Sequence, residues 1–187
     1  MEKTIRSDEQ NLIERTKASE KVFDGKLLQV YRDTVILPNQ NTATREYIQH
    51  IGAVAVVPVL EDGRIIVERQ FRYPLNAVIT EIPAGKLDSN QEDRLEAAKR
   101  ELREETGYIA EEWKEIGDYI PAAAYCDERI TIYLARGLKK GEQELDEDEF
   151  LHVEAVPLEK LMEQVMTGEI TDGKTLAGLL KAARILG

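Results

Sequence analysis

The stretch whose reading decides the fold is PAGKLDSNQEDRLEAAKRELREETGY, Pro83 to Tyr108. Its second half has helical period: Leu95, Ala98 and Leu102 mark an apolar side, with Ala97 beside them. Gly107 stands where a helix is ended by a residue tolerant of left-handed backbone. Glu101, Glu104 and Glu105 crowd the same turn and a half. Residues three and four apart on a helix are neighbours, so Glu101 faces both of the others. Two carboxylates ~4 Å apart repel by about 4 kcal/mol at an effective dielectric near ~20. Solvent and the nearby Lys99, Arg100 and Arg103 relieve part of that cost, whereas a divalent cation reverses its sign. Mg²⁺ suits such a place, because it takes oxygen ligands, keeps waters and bridges carboxylates to phosphate oxygens. Taken alone, the same residues also fit a solvated helix face laced by pairs such as Arg100 with Glu104.

On the N-terminal side, short strands are expected. KVFDGKLLQVYRDTVILPN is broken at Asp24-Gly25 and Pro38-Asn39, and REYIQH follows. AVAVVPVL is apolar throughout and β-branched, which predicts a strand buried on both faces. EDGR is a hairpin turn into IIVERQFR. On the C-terminal side, WKEIGDYIP, RITIYLARGL and FLHVEAVP read as strands, and LEKLMEQVMTG and DGKTLAGLLKAARIL as amphipathic helices. Residues 1–18 are polar and form a short helix or a loose arm. The elements mix without regular alternation, so the fold class is α/β (α+β): an α/β/α sandwich on a mixed β-sheet.

Composition narrows the chemistry. The chain has 187 residues, 42% of them apolar, and a formal net charge of −11. Nucleic acid is a poor partner for such a surface, and an anionic substrate needs a mediating cation. The single cysteine, Cys126, excludes an intrachain disulfide, and two histidines, His50 and His152, supply a histidine-centred triad poorly. Carboxylates must carry the acid–base and metal chemistry. No apolar run is long enough for a membrane span or a secretory leader, which predicts a cytoplasmic protein.

Gly85, Glu92, Arg100-Glu101, Leu102, Glu104-Glu105, Gly107 and Tyr108 together resemble the Nudix box, the motif of hydrolases that cleave a nucleoside diphosphate linked to another moiety. One spacing departs from the pattern: six residues, KLDSNQ, separate Gly85 from Glu92 where the box has five. The extra residue is expected to bulge outward. Ser89 and Glu92 also have the form of a helix capping box, so Glu92 serves as a cap or as a partner of Arg100. The resemblance implies that Glu101 and Glu105 are the principal Mg²⁺ ligands, with Mn²⁺ as a substitute. It implies further that Glu104 assists and that the backbone carbonyl of Ala84 also binds metal.

Beyond the box, IGAVAVVPVL, VERQFRYP, EIPAGKLD and GEITDGKTLAGLL are similar to the ADP-ribose pyrophosphatase group. That group keeps its catalytic base on an acidic loop between late strands. The similarity assigns Glu147, in GEQELDEDEF, as general base and Glu149 as a further metal ligand, with Glu144, Asp146 and Asp148 as alternatives in the same run. It assigns substrate contacts to Arg72, Glu81 and Glu128, each of which also fits an ordinary ion-paired or surface role. Phe23 and Tyr31 fit either adenine stacking or an interface. One departure concerns specificity: Ala122, Ala123 and Ala124 stand where the group carries Ser-Pro-Gly, which implies a differently shaped loop.

The expected reaction is Mg²⁺-dependent hydrolysis of the diphosphate bond of ADP-ribose or a related ADP-sugar, giving AMP and a sugar phosphate. The alternatives are another nucleotide sugar such as GDP-mannose, or a nucleotide-binding module without turnover. Residues 1–45 are expected to form an N-terminal arm and strands that dimerise, and residues 46–187 the Nudix hydrolase domain. Apart from a second copy and a nucleoside diphosphate sugar, no nucleic acid and no membrane partner is expected.

Overall fold

The structure, a computed structural model, describes residues 6–145, 147 and 149–187, apart from the side chain of Ser7. It divides into two compact units. One comprises residues up to His50 together with Ala122–Asp127, and the other Ile51–Pro121 with Glu128–Gly187.

In the first unit a short 3-10 helix, Ser7–Leu12, precedes β1 (Arg15–Asp24), β2 (Gln29–Ile36) and β3 (Thr42–Gln49). These form an antiparallel sheet in that order. The breaks fall at Asp24-Gly25 and across residues 37–41, as the turn residues predict. Tyr31 and Asp33 of β2 lie opposite Tyr47 and Arg45 of β3 on one face of the sheet, and Tyr31 stacks on Tyr47 with ring centroids 5.7 Å apart. The segment containing the three alanines turns back onto β3. Cys126 N–H donates to the Ala122 carbonyl, Ile48 N–H to the Tyr125 carbonyl at 2.8 Å, and His50 N–H to Asp127 Oδ1 at 2.7 Å.

The second unit begins with β4 (Ala53–Pro58), buried at every position as its apolar run predicts. After the turn at Gly63 come β5 (Arg64–Arg72), β6 (Ala77–Glu81) and β7 (Ala84–Lys86). Helix α1 is Arg94–Thr106. Then follow β8 (Tyr108–Ile109), β9 (Glu112–Tyr119), β10 (Ile130–Arg136), β11 (Lys139–Lys140) and β12 (Leu151–Pro157). Helices α2 (Leu158–Thr167) and α3 (Gly173–Leu186) close the chain. One sheet has the order β7-β4-β10-β9, with β4 and β10 parallel and the rest antiparallel, and a second has the order β12-β5-β6.

The layering follows from the pleat. Successive side chains of β4 point to opposite faces. Val54 and Val56 meet Ala97, Ala98 and Leu102 of α1, together with Tyr133 and Ala135 of β10. Ala55 and Val57 meet Ile132, Leu161 of α2, and Leu179 and Ala182 of α3. The mixed sheet therefore carries α1 on one face and the two C-terminal helices on the other, the sandwich expected from the sequence.

Gly85 lies in β7, paired with Val54. One local reading, the Ser89 cap, is corrected. The N-cap of α1 is Asp93, whose Oδ1 accepts from Leu95 N–H at 2.9 Å and Glu96 N–H at 3.1 Å. Glu92 is the Arg100 partner: its Oε1 lies 3.2 Å from Arg100 Nε, and its Oε2 accepts from Asp88 N–H at 2.6 Å. Both Asp93 and Glu92 could cap, but only the residue adjoining the first helical turn reaches its free N–H groups. The extra residue of KLDSNQ falls in the turn Asp88–Glu92, where Asn90 and Gln91 are exposed.

Candidate active site

The C-terminal half of α1 turns its glutamates inward against β7. Glu105 is 3% exposed, and its Oε2 accepts from Ala84 N–H at 2.9 Å. Glu101, also buried, packs its carboxylate against Gly85, where an added β-carbon would overlap it. That close approach is why glycine stands there: any side chain would displace the Glu101 carboxylate. Arg100 Nη1 donates to Glu101 at 2.8 Å. Glu104 faces outward to the cations, 3.3 Å from Arg100 and 3.2 Å from Arg103.

Burial opposes the negative charge of this pair. It pushes the Glu101 carboxyl up to about 7, with Glu104 and Glu149 adding repulsion and Arg100 opposing. Burial also pushes Glu105 well above the usual carboxylate range, reinforced by Glu68 and then Glu101. Among the described residues no three acidic, histidine or cysteine side chains converge as a ready-made cation cage.

Next to this pair lies an ion network. Arg72, at the end of β5, grips Glu81, at the end of β6, with two hydrogen bonds: Nε to Oε1 at 2.6 Å and Nη2 to Oε2 at 2.8 Å. Lys174 of α3 also donates to Glu81, and to Asp172 at 3.1 Å. Glu81 is 1% exposed. Burial would raise its pKa, but the two cations prevail and hold it below the usual range. Asp172 caps α3, accepting from Thr175 N–H at 2.9 Å, and Thr175 Oγ1 accepts from Ile82 N–H at 2.9 Å. The C-terminal helix is thus tied by side chains to the strand bearing Glu81.

The acidic loop after β11 is strapped to the C-terminal end of α1. Gly141 N–H donates to the Gly107 carbonyl at 2.6 Å, Gln143 Nε2 to the Glu105 carbonyl at 2.5 Å, and Glu144 N–H to the Glu104 carbonyl at 3.1 Å. Arg103 pairs with the Glu144 side chain at 3.2 Å. Glu149, half-buried, borders an open cleft with Arg69, Phe71, Val78 and Phe150, and its charge raises the pKa values of Glu68, Glu101 and Glu105. Glu147 sits in an exposed turn and makes no hydrogen bond or ion pair among the described residues. Asp146 and Asp148 lie outside the described residues. Glu128 is half-buried in the approach to β10.

Of the residues predicted from sequence, Glu101 and Glu105 therefore lie together against Gly85 and Ala84 of β7, Glu149 acts on both through its charge, and Arg72 pairs with Glu81. Glu104 is committed to arginines, and Glu147 stands apart in solvent. Sequence reasoning missed Glu68 and Lys174. Glu68 was visible as an acid inside the apolar run IIVERQF, and Lys174 lay in GEITDGKTL, noticed as a motif without a role.

A helix of inward glutamates set against a glycine strand, on a mixed sheet with helices on both faces, defines the class. Residues 49–179 match the NUDIX domain, and residues 14–48 match the nucleoside diphosphate sugar hydrolase N-terminal domain. The chain belongs to the Nudix family. It is 43% identical to an ADP-ribose pyrophosphatase of Bacillus subtilis, over 88% of this chain and 90% of that one. It is 38% identical to a methanol dehydrogenase activator of Bacillus methanolicus, over 87% and 89%. With an ADP-ribose pyrophosphatase of Mycobacterium tuberculosis the identity is 35%, over 88% and 81%. A solved structure described as an ADP compounds hydrolase superposes with a TM-score of 0.81 at 23% identity, covering 92% of this chain and 94% of that one, which supports the fold.

Proposed function

We propose that this protein hydrolyses the diphosphate bond of ADP-ribose or a related ADP-sugar, releasing AMP and a sugar phosphate. The observation that carries this reading is the buried Glu101–Glu105 pair, held against Gly85 and Ala84 although burial works against its charge. Such a pair is costly unless a cation meets it, and hard carboxylate oxygens suit Mg²⁺, with Mn²⁺ as a substitute. Glu101, Glu105, Glu149 and the Ala84 carbonyl would hold the metal. When bound, it polarises the diphosphate oxygens and lowers the pKa of water.

The chain's own residues do the rest. Glu147, open to solvent, takes the proton of the attacking water. The water oxygen bonds to one phosphorus, and that phosphorus releases its bond to the bridging oxygen. Arg72 is fixed on Glu81 by two nitrogens, which leaves Nη1 to receive an anionic oxygen of the substrate. Glu104 assists the Glu101–Glu105 pair, directly or through water, and Glu128 contacts the substrate. Residues 1–45 form the arm that joins two copies: β1 is an edge strand exposed along its whole length, with Phe23 and Leu28 exposed in and beside it. We place the enzyme in the cytoplasm, a reading supported by its single cysteine.

Incubation with a panel of nucleotide sugars in Mg²⁺, with the products separated, tests the reaction. AMP with ribose 5-phosphate from ADP-ribose supports it, GDP-mannose as the preferred substrate would redirect it, and no turnover of any diphosphate would sink it. Light scattering at a mass of one chain would remove the dimer.

A further inference from the structure

Glu68 is the one side chain of this region for which the proposed chemistry has no use, and it is the least comfortable. It lies in the middle of β5, fully buried, and neither carboxylate oxygen has a hydrogen-bond partner among the described residues. Buried carboxylates are ordinarily hydrogen-bonded or paired, and an orphan of this kind needs a reason. Its surroundings sharpen the problem. Glu81 is its cross-strand partner on β6, so the two side chains share a face of the sheet. Negative charges also act across this interior: that of Glu68 raises the pKa of Glu105 on α1, and that of Glu149, before β12, raises the pKa of Glu68. Two cations face it as well, Arg72 and Lys174, but both already donate to Glu81, and Lys174 to Asp172 too. A valine would fill this strand position at no electrostatic cost, as Val67 and Ile66 fill those before it.

We infer that Glu68 is a further ligand of the cation site, a carboxylate offered from the sheet opposite α1 that a divalent ion engages, directly or through a water, together with Glu105. The inference rests on the reading of the Glu101–Glu105 pair as a metal site. It assigns that site a wall that lies outside the helix motif: α1 supplies one side, β7 a carbonyl, and β5 the orphan carboxylate. Oxygen donors from two opposed elements suit Mg²⁺ and Mn²⁺, which take carboxylates and waters in a compact shell.

The test uses Mn²⁺ itself as the probe. Binding is followed on the full chain by the paramagnetic resonance signal of free Mn²⁺, and melting temperatures are measured with and without the ion. The variants are Glu68→Val and the isosteric Glu68→Gln, with Glu105→Gln as a reference. A ligand kept at the expense of stability gives two changes of opposite sign. Metal-free Glu68→Val melts higher than the unsubstituted protein, while its Mn²⁺ affinity falls at least about tenfold and its Mn²⁺-induced melting shift shrinks. Glu68→Gln, which keeps the volume, also loses affinity. If Mn²⁺ binding is unchanged in both Glu68 variants while Glu105→Gln loses it, the inference about Glu68 falls and the metal reading of the pair stands. If the unsubstituted protein binds no Mn²⁺, or Glu105→Gln binds it undiminished, the reading of the pair falls, and the inference with it. A metal-free Glu68→Val that melts lower, with unaltered Mn²⁺ binding, would make Glu68 a structural acid.

Discussion

Replacing Lys174 with methionine tests whether the C-terminal helix holds the site together. Methionine keeps most of the aliphatic stem and removes the ammonium, so packing is nearly preserved and the change is electrostatic. Lys174 has a side-chain exposure of 10%, and Glu81 is buried beside it. Removing one partner of a buried ion pair costs about 3–5 kcal/mol. Two features reduce that here. Arg72 remains on Glu81 through two hydrogen bonds, and the substitution also relieves the burial of the lysine's own charge. A loss of about 2–3 kcal/mol follows, which for a domain of this size lowers the melting temperature by roughly 4–12 °C. Thermal melts by circular dichroism measure it. The double variant Lys174→Met/Glu81→Gln should lose less than the sum of the single losses, because the carboxylate stranded by the first change is gone. A single variant melting within a degree of the parent, or strictly additive losses, would refute the coupling.

The metal-free protein should lose stability as pH rises. Glu101 is raised to about 7 in the folded state, and Glu68 and Glu105 are raised as well, so protonation favours the fold. Their contribution is complete below the ordinary carboxylate pKa near 4.5 and disappears as pH climbs through about 7 and beyond. Melting curves in EDTA should fall over that window and flatten when Mg²⁺ is present; a flat curve in EDTA would contradict the burial argument. Gly85→Ala should lower kcat/KM about 100-fold, the order expected of an ångström-scale displacement at a reacting centre, with the melting temperature changed little by comparison; an unimpaired enzyme would show that Glu101 has room to move. Glu147→Gln should cut kcat by about 10²–10⁴-fold, the usual worth of a general base, with substrate binding retained; an unaltered kcat would move the base to another acid of the loop.

Patterns set by chain-local physics were the legible ones. The helix of Arg94–Thr106 and its left-handed stop at Gly107 follow from spacing and backbone freedom, and the all-buried β4 follows from an unbroken β-branched run. The inward pair Glu101 and Glu105 followed from the motif's resemblance. Choices decided by neighbours distant in sequence were not legible. Ser89-x-x-Glu92 satisfies the capping pattern, yet Asp93 caps because it adjoins the first turn and Arg100 claims Glu92. Gly85 becomes a strand residue because β4 offers it an edge. Lys174 meets Glu81 only once α3 packs on the sheet, and the charge of Glu68 on β5 acts on Glu105 of α1 only in the assembled fold, a relation no local period encodes.

The parallel pairing of β4 with β10 constrains how the molecule comes into being. Ala53 lies opposite Ile130, so the chain must close a long loop before this pairing repays its entropy. Helix α1 and strand β7 lie inside that loop, and α1 packs on both of the strands that close it. The glutamate pair leans on β7, a near neighbour in sequence, but β7 and α1 are both seated on β4, whose other edge is filled only when that long-range pairing forms. Partly folded forms that lack the pairing should hold the glutamates without the sheet that fixes them. During refolding, recovery of metal binding should lag behind the appearance of helix and follow the slow phase in which β4 pairs with β10.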